Sequence, residues 1–230
     1  MQHRRQNTPL LKVTYSIAVK DVWAEFRSKE LLSAMLLFAL LSLLVFSFAL
    51  ELDRRARAEA ISGVLWVTVA FAAILGLNRS MALEREQGCL EAMLTAPIPR
   101  SAIMYGKLAG NFAFALIVGL ILLPVMTILY NISLISLPLV WVLAAGTLGL
   151  AIVGTLLSAM TAQTRSRETL LPLVMLPIAL PIVIAAVRAS TGLLSGADSE
   201  VWGAWAAILT AVDIVYFVAC SLLFDFVIEE

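Results

Sequence analysis

The sequence predicts an all-α polytopic membrane protein, a bundle that crosses the bilayer six times. Two bulk observations and one pattern carry that expectation. Of the 230 residues, 61% are apolar and only 14% are charged, against the roughly 45–50% and 25% of soluble domains. So short a chain has no interior large enough for that apolar surface, so lipid is its solvent. The pattern is a set of six long runs nearly free of charge. Each is close to the ~20 residues that a helix needs to cross about 30 Å of hydrocarbon.

Residues 9–29 come before the first run and have their own periodicity. Leu11, Tyr15, Ala18, Val22 and Phe26 recur at helical spacing, with Lys12, Lys20, Asp21 and Arg27 elsewhere on the wheel. Pro9 suits a first helical turn, where its missing N–H would have no partner in any case. The reading is an amphipathic helix in the headgroup region; the alternative is an extension packed on the bundle. The organisation expected is therefore an interfacial, cytoplasmic N-terminal segment over 1–30 and a six-helix transmembrane domain over 31–230. The first apolar run begins only at Leu31 and no small-residue cleavage site follows it. It does not read as a secretory signal and is expected to be retained.

The spans are expected at about 31–50, 60–78, 104–130, 137–162, 170–187 and 202–227. A short polar turn at 131–136 makes the third and fourth a tight hairpin. The third contains Lys107 near its start. The fifth contains Pro172, Pro177 and Pro181, which are expected to bend it. With the N-terminus inside, the inner segments hold twelve Lys and Arg residues: Arg4, Arg5, Lys12, Lys20, Arg27, Lys29, Arg79, Arg85, Arg100, Lys107, Arg165 and Arg167. The outer segments hold four, Arg54, Arg55, Arg57 and Arg188. That asymmetry predicts both termini in the cytoplasm. Arg165, Arg167 and Glu168 form a short inner loop, read as an inside-positive anchor or as a second contact with a soluble partner. The net charge of zero offers no case for nucleic acid. Cys89 and Cys220 are too few for a disulfide framework and are expected as free thiols.

The most informative segment is the inner loop at about 79–103. Glu84, Arg85 and Glu86 close a charged, helix-prone piece, and Gly88 interrupts it. Leu90, Met93 and Leu94 then lie on one side of a second piece, with Glu91 on the other. Pro97 and Pro99 end the helix before Ser101, an expected N-cap for the third span. A plain linker between spans is usually far shorter. A loop presenting both apolar and charged side chains has what a docking surface for a soluble partner needs.

The run Glu-Arg-Glu-x-Gly-x-Leu-Glu-x-Met-Leu-x-x-Pro over 84–97, with Gly106-Lys107 beyond it, resembles the cytoplasmic loop of ABC-2-type permeases. The resemblance implies an amphipathic N-terminal helix, six spans, and a coupling loop seated on a separate ATPase subunit. Glu84, Arg85, Glu86, Gly88, Leu90, Glu91, Leu94 and Pro97 would form the ATPase-coupling contact. The second half narrows the match. Gly146, Gly149 and Gly154 in the fourth span, Thr164-Arg-Ser-Arg167-Glu168 after it, and the three prolines are similar to the B permease family of cytochrome c maturation (haem exporter) ABC complexes. The similarity covers most of the chain from about Leu10 onward. It implies a bacterial inner-membrane location, a haem-handling membrane subunit and haem chaperone as partners, and a second permease half that is either a copy or another subunit.

Individual residues carry less. The three glycines fit close helix packing better than a substrate path. Asp213 falls near the middle of the sixth span, where a carboxylate is costly. It is a possible intramembrane polar site or else a hydrogen-bonded packing contact. The only histidine is His3, which leaves no histidine ligand for haem iron inside the bundle. On the family reading haem therefore sits on a partner subunit, and no cofactor is expected on this chain. The chain has no Gly-x-x-x-x-Gly-Lys-[Ser/Thr] loop, so ATP belongs on a partner. Nothing in the sequence reads as catalytic or metal-binding. The rival readings are an exporter permease for a lipid, glycan or drug, and, in another class, an ATP-independent scaffold or secondary transporter.

Overall fold

The structure, a computed structural model, describes residues 10–49, 54–86, 100–161 and 167–227. These residues form seven α-helices: α1 (Leu10–Ser28), α2 (Glu30–Ala49), α3 (Arg54–Glu86), α4 (Arg100–Tyr130), α5 (Leu137–Thr161), α6 (Arg167–Leu194) and α7 (Ser199–Val227). The six from α2 to α7 are each long and apolar enough to cross a membrane. In hydrocarbon every backbone N–H and C=O must be satisfied within the segment, which leaves continuous helices as the economical solution.

The spans are not equivalent. Within the most apolar stretch of each, 72% of the residues of α3 and of α5 are buried, against 22% in α2 and in α7. α3 and α5 thus form the centre, and α2, α4, α6 and α7 pack around them. Glycines permit this closeness. A Cβ on Gly146 would collide with the indole of Trp66 in α3, and one on Gly154 with Leu77. Trp66 is fully buried, and its Nε1–H donates to Ser190 Oγ of α6 at 2.9 Å. Asn111 of α4 donates to Thr155 Oγ1 of α5 at 2.9 Å. The glycines therefore act as packing residues, as expected.

The corners follow local rules. Asn131 takes a positive φ after α4, and Ser136 caps α5 by accepting from Leu139 N. α6 ends in a Schellman motif: Gly196, at φ 71°, donates to Leu193 O, and Ala197 N donates to Gly192 O. The three prolines lie inside α6, and the hydroxyl of Tyr216 in α7 donates to the carbonyl of Ile178 beside them at 2.9 Å.

Several expectations are corrected. The charged piece ending at Glu86 is no separate loop helix: α3 runs unbroken from Arg54. Its 33 residues span about 50 Å, well beyond the hydrocarbon. α4 begins at Arg100, so Ser101 sits within the first turn and not before it. α6 continues past Arg188, which is an exposed helical residue and not part of a loop. Cys220 is a buried free thiol on α7; Cys89 lies outside the described residues.

Gly146→Ala should lower the stability of the detergent-solubilised protein by about 1–3 kcal/mol, the usual cost of overpacking. Gly203→Ala, at a position open to space, should leave the thermal midpoint unchanged. Equal midpoints for the two variants would remove the case for a glycine-dependent centre.

Candidate functional site

The end of the bundle at which α3 terminates and α4 begins is where the sequence places its docking loop. Glu84, Arg85 and Glu86 form the last turn of α3. Gly88, Leu90, Glu91, Leu94 and Pro97 lie outside the described residues. The structure does show what frames this loop on either side.

One frame is α1, which packs along the start of α4. Gly106 and Gly110, four residues apart, present a shallow groove. A Cβ at Gly106 would strike Ile17, and one at Gly110 would touch Asp21. Close approach of this kind is what small residues at i and i+4 allow between membrane helices. It brings together two charges that the sequence had left apart. Lys107 Nζ donates to Asp21 Oδ2 at 2.7 Å, with side-chain exposures of 5% and 13%. Lys20 adds a second contact to Asp21 Oδ1 at 3.1 Å from its more exposed position. Asp21, which the periodicity sets apart from the apolar stripe, faces α4. Lys107 lies on an apolar helix where an ammonium needs a counter-charge, and this requirement turns Asp21 inward.

The opposite consequence holds for the apolar stripe. Leu11, Tyr15 and Phe26 are exposed, and so is Trp23. α1 thus grips the bundle through Ile17, Asp21 and Glu25 and leaves an aromatic face uncovered, a pattern suited to a headgroup region. Packing of the segment on the bundle is what the contacts of α1 with α4 show.

The corner between α1 and α2 is equally specific. Lys29 has a φ of 57°, closing α1 through a bond from its own N–H to Glu25 O, and its carbonyl accepts from Ser33 N to open α2. A lysine has no side-chain acceptor for the first N–H groups of the new helix. Glu25 supplies one, accepting from Leu32 N at 2.7 Å while buried. Glu30, the first residue of α2, pairs with Arg79 of α3. Through these contacts α1, α2, α3 and α4 are linked around the root of the loop.

Sequence reasoning missed the Asp21–Lys107 pair, the Glu25 cap and the Glu30–Arg79 link. A signal for the first existed: a lone lysine inside an apolar span requires a partner, and Asp21 is an acid on the adjoining amphipathic helix.

Asp213 is the second candidate, and it sits elsewhere. It is 6% exposed, on α7, facing Gly149 of α5 so closely that a Cβ there would collide with its carboxyl oxygen. Oδ1 has no hydrogen-bond partner among the described residues. The alternative of a hydrogen bond to a neighbouring Ser, Thr or Tyr is not what Oδ1 shows. Among the described residues no cluster of His, Cys, Asp and Glu is arranged to hold a metal ion.

Six apolar helices around a glycine-tightened centre, with a charged clasp at one end, define a multi-pass α-helical membrane protein. The family model described as CcmB protein matches residues 12–227, nearly the whole chain, and the chain belongs to that family. Curated relatives agree. The chain is 31% identical over 130 residues to a protein of Rhodobacter capsulatus named heme exporter protein B, covering 55% of this chain and 59% of the relative. It is 24% identical over 187 residues to the protein of that name from Pseudomonas aeruginosa, covering 81% and 83%. It is 26% identical over 180 residues to that from Bradyrhizobium diazoefficiens, covering 78% and 80%. The first of these matches spans less than two thirds of its relative's length, and the other two span most of theirs.

A double-mutant cycle tests the clasp. Lys107→Met alone leaves Asp21 with only the more exposed Lys20 and should cost less than the roughly 3–5 kcal/mol of a fully stranded buried ion, whereas Lys107→Met combined with Asp21→Leu should recover most of that loss. Thermal unfolding of the four proteins in one detergent measures the coupling. Additive losses would mean that the pair does not hold α1 to α4.

Proposed function

We propose that this chain is the membrane permease subunit of an ABC transporter that handles haem for cytochrome c maturation in a bacterial inner membrane. The observation that carries the reading is the match of nearly the whole chain to the CcmB family, together with the haem-exporter name its relatives bear. The chain is a transporter subunit and not an enzyme. Hydrolysis of ATP takes place on a separate ATPase subunit, which docks against the loop at 79–103.

The physical case for coupling is mechanical. A soluble subunit that changes shape can move a membrane domain only through contacts that differ between two states. α3 offers a continuous rod from the root of the loop into the centre of the bundle, where Trp66 and Leu77 meet α5. Force applied near Glu84, Arg85 and Glu86 thus reaches the packed core without crossing a flexible joint. The clasp of α1 on α4 provides the matching lever on the far side of the loop.

Both termini lie in the cytoplasm on this reading, which the excess of Lys and Arg in the inner loops supports. Haem sits on a partner membrane subunit and passes to a haem chaperone, since His3 is the only histidine here. A second permease half, either a copy of this chain or another subunit, completes the membrane unit. Without those haem-handling partners the same architecture would serve a general exporter.

Glu84→Lys and Glu91→Lys should each reduce recovery of the ATPase subunit when the complex is purified in mild detergent, with the bundle still folded. Undiminished recovery would place the docking contact elsewhere. Mass spectrometry of the unmutated complex tests the wider reading. An ATPase together with haem-binding cytochrome-maturation proteins supports it, an ATPase alone favours the general exporter, and no ATPase refutes both.

A further inference from the structure

A cavity of about 380 Å³ opens between α4, α5 and α7, lined by Phe112, Trp141, Leu148, Ile214, Phe217 and Asp213 among others. Its size falls in the range of small-molecule sites, about 300–1,000 Å³. From Trp141 to Ile152, both lining residues on α5, it extends about 16 Å along the helix. The walls are apolar and rich in aromatic rings. The only charged group lining it is Asp213, whose side chain is buried and whose Oδ1 is unpartnered among the described residues.

These features are unexpected together. A buried carboxyl in an apolar surrounding is costly unless a donor or a counter-charge meets it. The residues near it do not supply one: Gly149 lies against it with Ile182 beside that glycine, and Thr210, also on the wall, spends its hydroxyl proton on Ala206 O. The position nevertheless accommodates the acid, because Gly149 leaves room for its oxygen and an alanine would not. A carboxyl in a cavity that aromatic rings help to line is chemistry that recognises an organic cation, through a charge-assisted hydrogen bond and, where a ring lies close, cation–π attraction.

We propose that the cavity lined by Phe112, Trp141, Phe217 and Asp213 is a binding site for a lipid-soluble amphiphile with an ammonium head, its head on Asp213 and its apolar tail along α5 toward the surrounding lipid. The cavity is open on its lipid-facing side, where Trp141 and Ile214 are exposed, and its one carboxyl is what favours a cationic small molecule over an apolar helix. The site is separate from the clasp and the docking loop, and it does not rest on the haem-handling reading.

The probe is dodecylamine carrying a photoreactive diazirine on its chain, applied to native membranes containing the assembled complex. Dodecanol bearing the same diazirine is the neutral control. The expected result is labelling concentrated on α5 and α7 around Trp141–Ile152 and Thr210–Phe217, competed by unlabelled dodecylamine and absent with the alcohol. Asp213→Asn should reduce that labelling about tenfold or more, as loss of a charge-assisted bond predicts. Ala144→Phe, which fills the cavity and leaves the carboxyl in place, should reduce it as much. If Asp213→Asn fails to accumulate in the membrane, Ala144→Phe and the alcohol control decide the matter. Equal labelling by amine and alcohol, labelling spread evenly over lipid-facing residues, or unchanged labelling of Ala144→Phe would overturn the proposal. So would a complex that takes no label because a partner subunit covers the opening.

Discussion

Close approach of α5 to α3 is the constraint on which the rest of the bundle depends. Lipid tails are as apolar as the side chains they surround, so no hydrophobic force draws one span to another. What remains is van der Waals contact, which requires surfaces that fit. Gly146 against Trp66 and Gly154 against Leu77 provide that fit. Once α3 and α5 are in contact, Trp66 reaches Ser190 and brings in α6, and Asn111 reaches Thr155 and brings in α4. Polar side chains here act as fasteners between helices already placed by their small residues.

The same logic explains why the charged clasp lies where it does. An ammonium at Lys107 is tolerable near the end of a span only with a counter-charge and a short path to water. Asp21 provides the first, and the half-exposed Lys20 beside it shows that the second is near. Because α1 must deliver Asp21 to that point, its orientation is set by the face that carries Ile17, Asp21 and Glu25. Leu11, Tyr15 and Phe26 of the stripe are then left exposed, while Val22 packs on the core. A helix that is amphipathic in the ordinary sense thus serves two surfaces, the bundle on one side and the membrane interface on the other. This arrangement joins the N-terminal helix to the helix ends that flank residues 87–99.

Asp213 illustrates the opposite case, a costly group kept without an evident internal partner. Packing alone would be served better by an apolar side chain, and Gly149 would then have only Ile182 to clear. The retention of both features in one chain is the reason to treat the cavity beside them as a site in its own right.

The amino-acid sequence determined the class, the number of spans and the family, because each rests on local chemistry. Twenty apolar residues in a row have one stable form in hydrocarbon, and the motif around Glu84–Pro97 and the glycines at 146, 149 and 154 are read directly from the chain. The same reading located Asp213 in mid-span and identified the glycines as packing residues. Element ends were less legible: α3 runs on to Glu86 because nothing before Gly88 is incompatible with a helix, so the boundary of a span was mistaken for the boundary of its helix. Tertiary structure alone decided which face of α1 turns inward, that Lys107 meets Asp21, that Glu25 caps a helix begun by a lysine, and that Asp213 faces a cavity. Each of these joins residues from different helices. Their pairing depends on the rotation and depth of whole spans, which no periodicity within one segment can specify.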